Sequence, residues 1–220
     1  MFSLESFKKE YEADSTEVKI GGRQFQFLVP RSLDKFVDSQ NIFHKFPLWA
    51  KIWKASLILA DHIAVMTVKP KQDFLEIGSG IGLVGIVAAS FGHQVTITEY
   101  DDHALNFARA NALVNHCSNL EVKKLDWNKP GMQKKFDYII GSEVVYDEGH
   151  FQPLMELFVR LLKPEGEVIL SAEMRRTNME FFDQMQKHFQ IKAQKKRLHS
   201  EGQEVSVILC RILNKGRKKN

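Results

Sequence analysis

The sequence predicts a Rossmann-like α/β fold: a seven-stranded sheet flanked by helices, ending in an antiparallel C-terminal hairpin and preceded by a β-hairpin extension. Three observations predict it. From residue 73 onward, short apolar stretches of strand length alternate with stretches of helical length, as parallel strands joined by crossover helices require. The alternation then stops, and 190–195 and 204–212 read as two strands joined by a polar turn around Ser200-Glu201-Gly202. Finally, the segment Phe74-Leu75-Glu76-Ile77-Gly78-Ser79-Gly80-Ile81-Gly82 stands where a strand gives way to a helix, the place where such sheets bind ligands.

Taken in order, residues 1–12 are charged and amphipathic and lack the apolar core of a signal peptide. Alternation across 17–29 (Val18, Ile20, then Phe25, Phe27, Val29) around Gly21-Gly22 predicts the early hairpin. A connection, 30–47, leads into a helical pattern that starts at Trp49 and continues to about Val65. Strands are expected at 73–77, 94–98, 120–124, 136–141 and 167–171, with helices at 83–91, 102–115 and 151–162 between them and another at 178–188. The expected organisation is an extension over 1–46, one domain over 47–213 and a basic tail over 214–220.

Length and composition bound the function. The 220 residues suffice for one sizeable core. A net charge of +4, from 31 Lys+Arg against 27 Asp+Glu, is too modest to imply nucleic acid as a partner, and part of the excess lies in Lys215-Gly216-Arg217-Lys218-Lys219. Cys117 and Cys210 are far apart and form no CxxC pair, so neither a disulfide framework nor a zinc site is expected. The eight histidines are scattered, no metal is called for, and each reads as surface or structural. No apolar run approaches the roughly 20 residues of a membrane span. The expected setting is cytoplasmic, and nothing demands more than a monomer.

The glycine segment admits two cofactor classes. Gly80-x-Gly82-x-x-Gly85 satisfies the dinucleotide pattern GxGxxG, with Glu99 about 20 residues on. Its register is late, however, because the strand ends near Ile77, and Glu76 would crowd a pyrophosphate. A cofactor without phosphates suits that carboxylate better, and S-adenosylmethionine brings a positively charged amino-acid end. Glu99, at the end of the second strand, could accept from both ribose hydroxyls. Asp126 and Trp127, after the third strand, could take an adenine amino group and wall the ring. Each of these residues has a plainer alternative as a turn or packing residue.

Ser142-Glu143-Val144-Val145-Tyr146 follows the fourth strand at the same sheet edge. Glu143 and Tyr146, three apart, can face one pocket from a single turn, and a carboxylate with a phenol can hold an amine. Here the chain resembles the small seven-β-strand (class I) protein-lysine methyltransferases, whose members modify chaperones, elongation factors and the electron-transfer flavoprotein. Trp53-Lys54-Ala55-Ser56, the Leu75–Leu83 loop, Leu125-Asp126-Trp127 and Glu143-Val144-Val145-Tyr146 carry the resemblance, and the terminal hairpin fits it. It departs in having Glu143 where the family usually has Asp, and Trp53-Lys54 where Trp-Pro is common.

The resemblance implies S-adenosylmethionine as cofactor, with Trp53 near its methionine end, Glu76, Gly78 and Gly80 in its loop, Glu99 on the ribose and Asp126 with Trp127 around adenine. Ser142 joins these as a cofactor-side residue, and Glu143 and Tyr146 hold the acceptor. The implied reaction is in-line attack of a neutral lysine nitrogen on the sulfonium methyl, with alignment as the protein's main contribution. The longer Glu143 side chain leaves a histidine acceptor open. A small-molecule or nucleic-acid methyltransferase, or a non-catalytic module that kept the fold, are the other readings. The Pro-Pro signature of amino-directed nucleic-acid enzymes is absent at Ser142–Val145.

Overall fold

The computed structural model describes residues 2–37, 46–117, 120–200 and 203–215. Seven strands form one sheet in the order β5-β4-β3-β6-β7-β9-β8, and β1 and β2 form a separate two-stranded sheet. The large sheet comprises β3 (Asp73–Glu76), β4 (Gln94–Glu99), β5 (Glu121–Lys124), β6 (Phe136–Ser142), β7 (Leu162–Glu173), β8 (Phe189–Ser200) and β9 (Gln203–Asn214). Only β9 runs against its neighbours, pairing antiparallel with both β7 and β8. The expected terminal hairpin is therefore inserted so that β8 becomes the sheet edge. Strand order reverses at β3, which lies between β4 and β6, and this opens a crevice at the carboxyl ends of these strands.

Period-two alternation distributes the strand residues between two cores. Phe74, Ile140 and Ile169 face the core shared with α2 (Lys54–Ala64), α3 (Leu83–Ser90) and α4 (Asp102–Val114). Leu75, Ile77, Ile139, Val168 and Leu170 face the core under α5 (Phe151–Leu161) and α6 (Arg176–Met185). Helix α3 is apolar nearly all round because it is buried on every side. At Gly85 an added Cβ would run into Ile97 and the Glu76 carboxylate, so this glycine serves close packing of helix on sheet.

The extension is docked onto this frame. Helix α1 (Leu4–Glu10) is capped by Ser3, which accepts from the Ser6 amide at 3.1 Å, and its buried Phe7 meets Phe107 of α4 edge-on at 4.9 Å. Strands β1 (Ala13–Ile20) and β2 (Arg23–Pro30) turn at Gly21 and Gly22, both at positive φ as the tight turn demands. Fully buried Asn111 of α4 accepts from the Leu28 amide (2.6 Å) and donates to the carbonyls of Leu28 (3.1 Å) and Ile81 (3.0 Å). One side chain thus ties the hairpin to the glycine loop.

Three boundaries differ from expectation for physical reasons. The helix expected from Trp49 is split into a 3-10 turn (Leu48–Ala50) and α2, with Trp53 extended between them and its Nε1 donating to the Leu48 carbonyl at 2.9 Å. Strand β7 starts at Leu162 and passes a register irregularity before Glu167, where Pro164 interrupts the ladder. The helix expected from 178 starts at Arg176. The turn at 201–202, His44 and the tail beyond Lys215 lie outside the described residues.

Candidate active site

A cavity of about 930 Å³ opens at the carboxyl ends of β3, β4 and β6, at the point where strand order reverses. That volume is in the range of small-molecule sites. Trp53, Glu76, Gly78, Gly80, Glu99, Asp126, Trp127, Ser142 and Tyr146 all line it, so nine of the ten residues singled out in the sequence share one wall system. Glu143 does not line it.

The loop after β3 is shaped by its neighbours. Gly78 and Gly80 have φ of +55° and +54°, in the left-handed region that side chains disfavour. A Cβ on Gly80 would stand 2.9 Å from the Trp49 carbonyl oxygen, and one on Gly78 3.1 Å from Val144 and 3.2 Å from Trp127. The break between the 3-10 turn and α2 is what lets the Trp49 backbone come so close.

Two buried carboxylates organise the glycine-loop side. Glu99 accepts from the amides of Gly80 (2.8 Å), Tyr100 (2.6 Å) and Asp101 (3.3 Å), locking β4 to the loop. Its carboxyl is held above the ordinary range by burial, against the pull of those amides. Glu76 accepts from the Gly85 amide at 2.9 Å, and its carboxyl is pushed up to about 8 by burial, with the charge of Glu99 adding to the shift. This contact weighs against a dinucleotide, because it sets a carboxylate group against the first turn of α3, the helix end that would otherwise attract a phosphate. With Asp126 and Asp147 also on the wall against Lys51, the cavity is acidic and suits a cation.

Asp126 closes a turn by accepting from the Asn128 amide at 2.9 Å, and Trp127 meets His150 edge-on at 5.5 Å. The hydroxyls of Ser79 and Ser142, both on the wall, are buried and have no hydrogen-bond partner among the described residues. Such orphaned groups fit a polar ligand. Trp53 also lines the cavity, with the Lys51 ammonium 5.0 Å from its ring centre.

The two residues expected at the acceptor are split. Tyr146 stands at the mouth, 40% exposed, and its phenol is raised above its ordinary range by burial of the hydroxyl end and by the charges of Glu99 and Glu143. It therefore stays neutral near pH 7. Glu143 adopts φ +51°, is 1% exposed, and accepts from the Glu173 amide at 2.5 Å. Burial raises its carboxyl, while the Glu173 amide and Arg175 pull it down. The turn swings Val144 over Gly78 and Gly141 and leaves the carboxylate facing the end of β7.

Three residues at or beside the site carry no sequence motif: Trp49 falls within the helix expected from the sequence, His150 reads as surface or structural although it lines the cavity, and Arg175, beside Glu143, lies in a connection between expected elements. Only the two-tryptophan cluster beside the glycine loop offered any signal.

Comparison with known proteins agrees with this geometry. The lysine methyltransferase family profile matches residues 47–188. Protein N-lysine methyltransferase METTL21A of Xenopus tropicalis is 33% identical over 149 residues, 64% of this chain and 69% of that protein. EEF1A lysine methyltransferase 3 of Xenopus tropicalis is 30% identical over 144 residues, 60% of this chain and 62% of that protein. Among solved structures, the tRNA (uracil-54, C5)-methyltransferase of Pyrococcus abyssi in complex with S-adenosyl-L-homocysteine superposes with a TM-score of 0.60 at 16% identity. It covers 90% of this chain and 44% of the other, and at that identity shares the fold alone. With the acidic cavity, the offset glycine loop and the single reversed strand, these likenesses converge: the chain belongs to the lysine methyltransferase family and is an S-adenosylmethionine-dependent methyltransferase.

Proposed function

We propose that this chain methylates a lysine side chain of a protein substrate, acting as a monomer through a domain spanning 47–213 between an extension (1–46) and a basic tail (214–220). The observation that carries the reading is the acidic cavity whose helix-terminal amide at Gly85 is occupied by Glu76, leaving a site for a cationic cofactor rather than a phosphate. A monomer suffices because one chain supplies every candidate residue. The thiols of Cys117 and Cys210 are free and buried, which favours a reducing compartment such as the cytoplasm.

Bound S-adenosylmethionine supplies an electrophilic methyl group on a sulfonium. Glu76, Gly78 and Gly80 hold its amino-acid end, and Trp53 covers that end. Glu99 accepts a ribose hydroxyl at Oε2, where the Gly80 amide fills only one lone pair. Ser79 and Ser142 offer their unpartnered hydroxyls. Asp126 accepts the adenine amino group and Trp127 walls the ring. At the mouth, the neutral Tyr146 hydroxyl accepts from the target amine, and Glu143 supplies the negative charge that draws an ammonium in and a site for its proton. A lysine acceptor is favoured by the relatives, which are named for lysine methylation.

The test has two arms. Calorimetric titration with S-adenosylmethionine should give micromolar binding, and its absence would sink the reading. Incubation with tritiated cofactor and a lysate of cells lacking the gene should label a protein band. Mass spectrometry of that band then distinguishes lysine from histidine.

A further inference from the structure

Glu143 does not line the cavity, and the cation that meets its carboxylate is Arg175. The Arg175 guanidinium is 3.2 Å from Glu143 Oε2 and 3.4 Å from Glu173, and its Cζ lies 5.6 Å from the centre of the Trp53 ring. Trp53 itself lines the cavity. A buried carboxylate, a second carboxylate and an indole face therefore converge on one cation. That set of groups recognises positive charge in general and would serve an alkylammonium equally well.

We propose that Arg175 is a placeholder: its guanidinium occupies the position meant for the target lysine's ammonium, and the incoming lysine displaces it from Glu143 and Trp53. The inference rests on the acceptor role given above to Glu143. Two observations make the exchange physical. The Arg175 side chain is 42% exposed at the start of α6, so it can swing into water without disturbing either core. Its pairing is also poorly aligned, because Glu143 Oε2 accepts no hydrogen bond from the described residues despite the 3.2 Å approach. A better-directed ammonium gains what the guanidinium does not use. Selectivity follows, since a neutral side chain entering here would strand a buried carboxylate without a counter-charge.

The test titrates n-butylammonium, a mimic of the lysine side chain, with n-pentanol as the uncharged control, and follows the Trp53 indole signal by NMR. Wild type, Arg175→Ala, Arg175→Gln and Arg175→Ala combined with Glu143→Gln are compared. Butylammonium should bind at least fivefold more tightly to both single variants than to wild type, and the gain should vanish in the double variant. Pentanol should show no such ordering. Unchanged or weaker butylammonium binding in both single variants, or an equal gain for pentanol, overturns the proposal. S-adenosylmethionine titrated in parallel separates the two readings. Cofactor binding without the ammonium gain removes the placeholder alone, whereas no cofactor binding in wild type removes the methyltransferase site on which it rests.

Discussion

On the glycine-loop side of the cavity, carboxylates are anchored by main-chain amides. Glu99 holds Gly80, Tyr100 and Asp101, and Glu76 holds Gly85. On the side of β6 and β7, the carboxylate of Glu143 is anchored by one amide, an Arg175 contact that is ionic but not hydrogen-bonded, and a backbone at φ +51°. Amide anchors belong to the main chain and do not exchange, so the first side is preorganised for one ligand. Charge contacts to a long exposed side chain do exchange, so the second side can admit different partners. The contrast suits an enzyme with a fixed cofactor and a macromolecular acceptor.

The largest effect should come from breaking the rigid side. Gly80→Val places a branched side chain at φ +54° and against the Trp49 carbonyl. Backbone strain alone costs about 1–2 kcal/mol, and the clash adds to it, so cofactor binding should disappear in calorimetry while circular dichroism still reports a folded chain. Retained micromolar binding would mean the loop yields far more easily than its contacts indicate.

Next comes the exchangeable side. Glu143→Gln keeps the shape and removes the charge, so methyl transfer should fall by about 100-fold, the scale of a lost proton acceptor. The cofactor dissociation constant should stay within about twofold, since Glu143 does not line the cofactor cavity. Equal losses in both quantities would erase the distinction between the two sides.

A more gradual effect is set by pH. Because the Glu76 carboxyl titrates near 8 in the free protein, it carries a proton below that pH, and a cationic ligand must expel it. Affinity for S-adenosylmethionine should rise by up to about tenfold per unit from pH 6 to 8 and then level off. Glu76→Gln should flatten the slope. Stability of the free protein runs the other way. The folded state binds the extra proton between 4.5 and about 8, so stability contributed by this group falls as pH rises through that window. Thermal unfolding across that range checks the sign.

The smallest effect lies outside both regions. Arg176 pairs with Glu180 but is 91% exposed, so Arg176→Ala should leave the thermal unfolding midpoint essentially unchanged. It should leave butylammonium binding untouched, although its neighbour Arg175 controls it. A change there would point to the start of α6 as a whole rather than to one guanidinium.

Much of the rigid side was legible before any coordinates. Glycines after a strand end, an acid 19 residues after Gly80 and Asp126-Trp127 after a third strand are local patterns, because each functional group lies within about four residues of a strand terminus. The sheet edge then gathers them without further instruction. The other side was not legible in the same way. Glu143 and Tyr146 are neighbours in sequence, yet the left-handed turn at Glu143 sends one carboxylate behind the wall and leaves the phenol at the mouth. Arg175 reaches Glu143 and Trp53 only because β7 lies beside β6 and α2 packs across both.

By itself, then, the sequence determined the alternation of strands and helices, the terminal hairpin and the cofactor loop, since periodicity and glycine placement act over a few residues. Tertiary structure decided that β8 would be the edge strand, that the Trp49 backbone would press on Gly80, and that Glu76 would take the Gly85 amide in place of a phosphate. It also decided which cation faces Glu143. Those outcomes depend on contacts between segments distant in the chain, and only packing brings such segments together.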